Sequence, residues 1–235
     1  MSVGARLGIL GGTLDPVHVG HLETALAARE ALGLDRTLLL PSRVPPHRST
    51  EPVASPFHRF AMSALAVNGI DGLEASDAEL SAPGTSYTAD TLDRFHAAGL
   101  APLQIFFILG ADAFAEIETW NRYPQVLDLA NFVVVSRPGH ETAALIDRLP
   151  QLAARFADPG SIAVSPGAAT RIYRVSAATP DVSSTEIRYR LSTSASIAGL
   201  VTDAVEQHIR QHGLYRDHGS STYTRTAADH LHGQN

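Results

Sequence analysis

Short apolar runs alternate with segments of helical periodicity along most of the chain. Six runs predict strands, at Arg6–Leu10, Thr37–Leu40, Leu103–Leu109, Phe132–Val135, Ile162–Val164 and Ile172–Val175. Helices are predicted at Val19–Leu32, Pro56–Val67, Tyr87–Ala98, Ala143–Phe156 with a restart at Pro150, from Ser184, and from about Thr202 to His212. The strongest strands are apolar without alternation, which is typical of strands buried on both faces. The pattern therefore predicts an α/β fold with a Rossmann-like, doubly wound parallel sheet, helices on both faces and a small C-terminal helical region.

The periodic pattern stops near residue 216. Residues 217–235 are polar, rich in Ser, Thr and His, and show no hydrophobic period, so we predict a disordered tail there. The preceding residues 1–216 are predicted to form one domain, because 44% of the 235 residues are hydrophobic and supply ample core material.

Composition removes several classes of protein. The chain has no cysteine, which excludes disulfides, thiol nucleophiles and cysteine zinc sites. All 18 basic residues are arginine, so the P-loop, protein kinase and Schiff-base mechanisms lack their lysine. A net charge of −6 argues against nucleic acid as a partner. No apolar run reaches the length of a membrane span and no signal pattern begins the chain, so we expect a cytoplasmic protein without a membrane partner.

The first candidate site follows the first predicted strand, in the sequence GGTLDPVHVGH from Gly11 to His21. A glycine turn that leads into a helix N-terminus offers backbone N–H groups and a positive dipole end to an anion. His18 and His21 are three residues apart and face the same side of the first turn, where two imidazoles suit a triphosphate. A metal site is the weaker interpretation, because no third ligand lies nearby. Two surface histidines are the plain alternative.

The second candidate site is the sequence VSSTEIR from Val182 to Arg188. Ser183 and Glu186 have the spacing of a capping box, which predicts a helix start and, by itself, only a structural role. The hydroxyls of Ser184 and Thr185 and the guanidinium of Arg188 can bind a second phosphate group.

Together the two motifs resemble those of the nucleotidylyltransferases with an HxGH motif, most closely the bacterial nicotinate mononucleotide adenylyltransferases. The first motif carries Leu14 where that family usually has phenylalanine, and the second resembles its SSTxIR element. Three further segments fit: PPHR at 45–48, with Arg48 in place of a lysine; LGAD at 109–112; and SYTADT at 86–91 together with Trp120. The resemblance covers about residues 6–216. It therefore implies that the predicted domain, residues 1–216, is a nucleotidylyltransferase domain.

The resemblance implies a set of site residues. The predicted catalytic residues are His18, His21 and Arg188. The residues predicted to bind ATP are Gly11, Gly12, Thr13, His18, His21, Arg48, Gly110, Asp112, Ser184, Thr185 and Arg188. The residues predicted to bind the mononucleotide are Thr13, Asp15, Ser86, Tyr87, Thr88, Trp120 and Arg137. Judged from sequence alone, Asp112 also fits a helix N-cap, Trp120 a core position and Arg137 an exposed strand end.

The implied reaction transfers the adenylyl group of ATP to nicotinate mononucleotide, giving nicotinate adenine dinucleotide and pyrophosphate, a step of NAD biosynthesis. Mg2+ is expected to bind mainly through substrate phosphates, because the sequence shows no dedicated protein ligands for a metal. Pantetheine phosphate, nicotinamide mononucleotide or a phospho-alcohol are rival acceptors, and a nucleotide sensor without turnover is a rival of another class. A homo-oligomer is compatible with the sequence.

Overall fold

The fold is built on a seven-stranded sheet in which every strand pair is parallel. The computed structural model describes residues 4–46, 53–136, 143–162, 168–177 and 180–216. Its strands are β1 Leu7–Gly12, β2 Arg36–Pro41, β3 Leu73–Ala75, β4 Ile105–Gly110, β5 Asn131–Ser136, β6 Phe156–Ala157 and β7 Ile172–Ser176. Their order is β3-β2-β1-β4-β5-β7-β6. The predicted doubly wound parallel sheet is confirmed.

Seven α-helices accompany the sheet in the described residues. They are α1 Val19–Leu32, α2 Pro56–Val67, α3 Thr88–Ala97, α4 Ala111–Phe114, α5 Ala143–Arg148, α6 Ser184–Ser192 and α7 Asp203–Gln211. The bounds predicted for the helices at 19–32 and 56–67 are confirmed. A 3-10 helix, Pro150–Arg155, follows α5, so the predicted helical segment does restart at its proline.

Both faces of the sheet are covered, which explains why the strands are apolar without alternation. Along β4, Phe106 and Ile108 point into a core shared with α1, α2, α6 and α7. Ile105, Phe107 and Leu109 of the same strand point into a second core shared with α3, α4 and α5. Because successive side chains leave a strand on opposite faces, each strand must be apolar at every position.

Two strands differ from the sequence prediction. The edge strand β3 was missed, since three residues give too short a pattern to detect. The other edge strand, β6, lies at Phe156–Ala157, where a helical segment was predicted to end. The strand predicted at Ile162–Val164 is not seen at Ile162, which follows a 3-10 turn, and its other two residues lie outside the described residues.

The strand order reverses between β1 and β4. From β1 the chain moves outward through β2 and β3, then returns to β4 on the other side of β1 and continues outward. In open parallel sheets this switch point leaves a crevice at the carboxyl ends of the two strands, where ligands bind. The Gly11–Gly12 turn ends one of these strands and Gly110 ends the other.

No helix in the described part of the chain is long and apolar enough to cross a membrane.

Candidate active site

A cavity of about 350 Å³ opens at the carboxyl ends of β1, β2 and β4. Its size falls within the range of small-molecule sites. The residues that line it are Gly11, Gly12, Thr13, Ser42, Pro45, Pro46, Glu79, Ser86, Tyr87, Thr88, Phe107, Leu109, Ala113, Trp120 and Asn121. The structure thus brings together five of the seven residues predicted to bind the mononucleotide, at the switch point between β1 and β4.

Trp120 forms an aromatic wall of this cavity. The indole is half-buried, and its ring centroid lies 6.1 Å from that of Phe107 at an interplanar angle of 90°. A second edge contact, 6.4 Å between centroids, joins it to Phe132. These contacts orient the indole at the cavity lining, where a planar heterocycle can pack on it. Trp120 therefore makes core contacts and also lines the cavity, and its role as a platform for a ligand stays a prediction.

The hydroxyl of Ser86 belongs to a hydrogen-bond network on the cavity wall. It accepts from the Arg43 N–H at 2.8 Å and donates to Glu79. The Glu79 carboxylate also accepts from the Thr91 hydroxyl at 2.7 Å. Burial raises the pKa of Glu79, and the two hydroxyl donors offset part of that rise. Ser86 therefore fixes the loop after β2. Glu79 belongs to no motif in the sequence and could not be singled out there.

Helix α3 begins at the cavity, next to this network. Its N-cap is Tyr87, which makes no side-chain capping bond, and Thr88 is its first residue. The first-turn N–H groups of a helix have no acceptor within the helix, so they are available to a ligand. The start of α3 thus offers backbone donors and the Thr88 hydroxyl to an anionic group in the cavity.

The two histidines stack at the start of α1. Their ring centroids are 3.7 Å apart at 33°, and the ring of His18, the N-cap residue, is buried. The His18 backbone N–H donates to Nδ1 of His21 at 3.2 Å. Since that nitrogen accepts, the proton of a neutral His21 ring lies on Nε2, which makes Nε2 the donor. The predicted placement of both rings on one side of the first turn is confirmed.

The second motif contacts the first directly. Ser184 donates from its hydroxyl to the Pro16 carbonyl oxygen at 2.9 Å, and Arg188 Nη1 donates to the Asp15 carbonyl oxygen at 2.7 Å. Arg188 Nη2 also lies 3.2 Å from the Thr185 hydroxyl oxygen. The N-termini of α1 and α6 therefore lie side by side, although their sequences are more than 160 residues apart. Two helix N-termini that meet form a strongly anion-attracting position.

The α6 cap differs in part from the prediction. The Ser183 hydroxyl accepts from the Glu186 N–H at 3.1 Å, as a capping box requires. The Glu186 carboxylate instead pairs with Arg190, one turn on, at 2.7 Å. The first-turn N–H groups of Ser184 and Thr185 remain the helix's donors to a ligand, because the Ser184 hydroxyl is used on Pro16.

The carboxylate of Asp15 is only 1% exposed and its bonds are within the protein. It accepts from the N–H groups of Val53 and Ala54, at 2.8 and 3.1 Å, and from the Tyr215 hydroxyl at 2.7 Å. The structure thus makes Asp15 a buried anchor that joins its own turn to the segments at Val53–Ala54 and at Tyr215, and Asp15 is not among the residues that line the cavity.

Arg59, fully buried on α2, is a positioning residue that the sequence analysis missed. Its guanidinium donates to the carbonyl oxygens of Thr13, Ser42, Arg43 and Ala54, at 2.7, 2.6, 3.1 and 3.2 Å. It thereby ties the turn after β1 to the loop after β2. The signal was present in the sequence, since Arg59 shares the buried stripe of Met62, Ser63 and Ala66 at helical spacing.

The glycines of the first motif have packing roles. A Cβ on Gly11 would lie 2.9 Å from Cζ of Phe107. A Cβ on Gly20 would lie 3.1 Å from both the His18 ring and Val182. The space beside Gly20 is therefore filled by the His18 ring and by Val182, which lies just before α6.

Gly110 and Asp112 follow β4 at the exposed edge of the site. Gly110 is the N-cap of α4, and Asp112 lies in its first turn rather than at the cap, so the N-cap interpretation of Asp112 is wrong. Both residues are exposed, and Ala113 beside them lines the cavity. Arg48, Arg137 and the predicted tail at 217–235 lie outside the described residues.

The paired helix N-termini and the adjoining cavity define the site of a nucleotidyltransferase. The model of the cytidylyltransferase-like family matches residues 9–190, most of the chain, so the protein belongs to that family. Within it, the chain is a member of the nicotinate-nucleotide adenylyltransferases. It is 40% identical over 218 residues to a probable nicotinate-nucleotide adenylyltransferase of Desulfatibacillum aliphaticivorans, covering 89% of this chain and 99% of the relative. A relative with the same description from Roseiflexus sp. is 42% identical over 212 residues, covering 90% and 98%.

Solved structures show the same fold. Nicotinic acid mononucleotide adenylyltransferase of Plasmodium falciparum, complexed with NaAD, superposes with a TM-score of 0.68 at 16% identity, covering 90% of this chain and 97% of that one. A second complex of that enzyme, with APC, gives a TM-score of 0.66 at 17% identity.

Proposed function

We propose that this protein transfers the adenylyl group of ATP to nicotinate mononucleotide. The mononucleotide phosphate attacks the α-phosphorus of ATP, the bond to the β-phosphate oxygen breaks, and nicotinate adenine dinucleotide and pyrophosphate form. The observation that carries this proposal is the contact between the two motifs at the crevice between β1 and β4, beside a cavity with an aromatic wall. The family to which the chain belongs supports it.

The protein's task in this reaction is electrostatic. Both reactants are anions, and the attacking phosphate is already ionised at neutral pH, so no covalent intermediate is needed. The His18 and His21 rings act on the reacting phosphates, with Nε2 of His21 as a donor. Arg188, through the rest of its guanidinium, and the first-turn N–H groups of Ser184 and Thr185 hold the leaving pyrophosphate. Gly11, Gly12 and Thr13 form the turn beneath ATP, with Gly110 and Asp112 at its outer edge.

The lining of the cavity supports an acid as the acceptor. A pyridine ring packed on Trp120 would direct its carboxylate to the start of α3, where N–H groups and the Thr88 hydroxyl donate. The Tyr87 and Ser86 segment completes that wall. An amide accepts fewer hydrogen bonds than a carboxylate and gains nothing from a helix dipole, so it binds less well there.

Mg2+ enters with ATP, as part of the substrate. Asp15 and Glu79, the buried carboxylates in the part of the chain that the structure describes, are both engaged with protein donors. Hydrated Mg2+ carried on phosphate oxygens fits this environment. The roles of Arg48 and Arg137 as phosphate ligands stay predictions. The cytoplasmic location of the protein also stays a prediction.

The test is pyrophosphate release from MgATP with nicotinate mononucleotide and nicotinamide mononucleotide offered in parallel, and the dinucleotide product identified by mass. We expect kcat/KM for the acid to exceed that for the amide by at least about tenfold, because the loss of one charge-assisted hydrogen bond lowers kcat/KM by about that factor. Equal use of both would contradict the carboxylate site at α3. No release with either would contradict the proposed acceptor, and pantetheine phosphate would be the next to test.

A further inference from the structure

Three histidines outside the nucleotide site meet where α2 packs against α7. His58 lies in the first turn of α2, His208 lies on α7, and His212 follows one turn later as the C-cap of that helix. Nδ1 of His58 is 3.1 Å from Nε2 of His208. One ring nitrogen from each residue lies within 4.8 Å of the others. The nucleotide chemistry described above uses none of the three.

The separations of these nitrogens approach those of a tetrahedral metal site. A zinc ion binds imidazole nitrogen at about 2.0–2.1 Å, which places two tetrahedral ligands about 3.3–3.4 Å apart. The His58–His208 pair is already near that value, and small side-chain rotations would bring the exposed His212 ring to it. Three imidazoles and no carboxylate form a ligand set that suits Zn2+ and other late divalent transition ions, and not Mg2+ or Ca2+.

The surroundings also suit a cation. His208 and His212 lie at the C-terminal end of α7, where the helix dipole favours positive charge, although the first turn of α2 opposes it. Burial lowers the pKa of His208, and the neighbouring imidazoles of His212 and His58 lower it further. His58 and His208 are half-buried and His212 is exposed. An ion bound among them would therefore have one open side for a water ligand.

The alternative is a set of histidines that only bond to one another. A hydrogen bond between His58 and His208 satisfies one nitrogen of each, but it gives no reason for a third ring. The centroid of His212 is 4.8 Å from that of His58 and 4.4 Å from that of His208. The three rings converge from two helices, and His58 is 150 residues from His208 in the sequence. Together the rings form a chelating arrangement.

We propose that His58, His208 and His212 form a binding site for one Zn2+ ion that joins α7 to α2. Both helices anchor the nucleotide site. Arg59, next to His58, holds the turn after β1, and Tyr215, shortly after α7, bonds to Asp15 in the same turn. A bound ion would therefore stabilise the contact on which the turn after β1 depends, without touching substrate.

The test uses the full chain, stripped of metal and free of nucleotide, so that it is independent of the proposed reaction. Titration with ZnCl2 alone, followed by calorimetry, should show one site per chain. Zinc at about 100 times its Kd should raise Tm by about 5–10 °C. Replacement by Co2+ gives a visible absorption spectrum that reports the ligand set. His58→Gln and His212→Asn should each weaken zinc binding by at least about tenfold and, at the same zinc concentration, cut the Tm shift to about half or less.

The tail supplies the matched control, because it carries the histidines 218, 230 and 232. The triple variant His218→Asn, His230→Asn, His232→Asn should keep the affinity, the Tm shift and the cobalt spectrum. Zinc binding that survives His58→Gln and His212→Asn but is lost in the tail variant would overturn the proposal, as would a wild-type chain that binds no zinc. If His58→Gln fails to fold, His212→Asn at the exposed end decides the question.

Discussion

The Tyr215 hydroxyl donates a 2.7 Å hydrogen bond to Oδ1 of Asp15, across 200 residues of sequence. The bond joins the end of the described chain to the turn that precedes the two histidines. Burial raises the pKa of Tyr215, and the neighbouring Asp15 carboxylate raises it further, so the hydroxyl stays protonated and acts as a donor at neutral pH. The C-terminal segment is therefore part of the architecture of the nucleotide site.

Removing that hydroxyl should destabilise the fold. We expect Tyr215→Phe to lower the free energy of unfolding by about 1.5–3 kcal/mol, because a buried carboxylate loses a charge-assisted hydrogen bond. Urea denaturation measures it. Tyr189→Phe, at an exposed side chain, should change stability by less than about 0.5 kcal/mol. An equal effect of both changes would show that the Asp15 bond contributes nothing specific.

The His18 ring should matter for the chemical step and not for the fold. We expect His18→Ala to lower kcat by at least about tenfold, because a group that faces the reacting phosphates is lost. Pyrophosphate release gives kcat, and circular dichroism shows whether the fold is intact. His96→Gln is the matched control, since that ring bonds to the Leu129 carbonyl oxygen and has no role in the proposed chemistry. An unchanged kcat in a folded His18→Ala protein would remove His18 from the mechanism.

Replacing the aromatic wall should affect one substrate only. We expect Trp120→Leu to raise the KM for nicotinate mononucleotide about tenfold, since ring stacking is lost, and to leave the KM for ATP within about twofold. Initial rates with each substrate varied in turn provide both constants. Phe57→Leu, at an aromatic side chain that is 77% exposed, should change neither. A parallel rise in both KM values would indicate a general structural role for Trp120.

Glu79 should make stability depend on pH. Its pKa is raised in the folded protein by burial, so its contribution to stability is full below its unfolded pKa and is lost as the pH rises through the folded pKa. Glu79→Gln removes the ionisation. Relative to the wild type, this variant should therefore gain stability as the pH rises above about 4.5.

Denaturation at a series of pH values tests this prediction. The exposed Glu30→Gln should give a difference from wild type that stays flat with pH. A flat difference for Glu79→Gln too would mean that Glu79 titrates normally in the folded state.

The hydrophobic pattern and the local motifs of the sequence by themselves determine the fold class of this protein and the starts of its two site helices. Strands with apolar side chains on both faces, such as β4, require a layer of helices on each side of the sheet, whatever the order of the strands. The spacing of His18 and His21 places both rings on one side of a helical turn by helix geometry alone. Local signals also located the α6 start, because a capping serine acts within three residues.

Tertiary structure decided the interactions that join distant segments. Asp15 follows a ligand-binding turn in the sequence, yet packing buries its carboxylate against Val53, Ala54 and Tyr215. The Ser184 hydroxyl, predicted to bind phosphate, bonds to the Pro16 carbonyl oxygen instead. Periodicity reports only which side of a helix is buried. It does not report which backbone groups lie opposite, and a buried arginine such as Arg59 or a buried carboxylate such as Glu79 is placed by those groups.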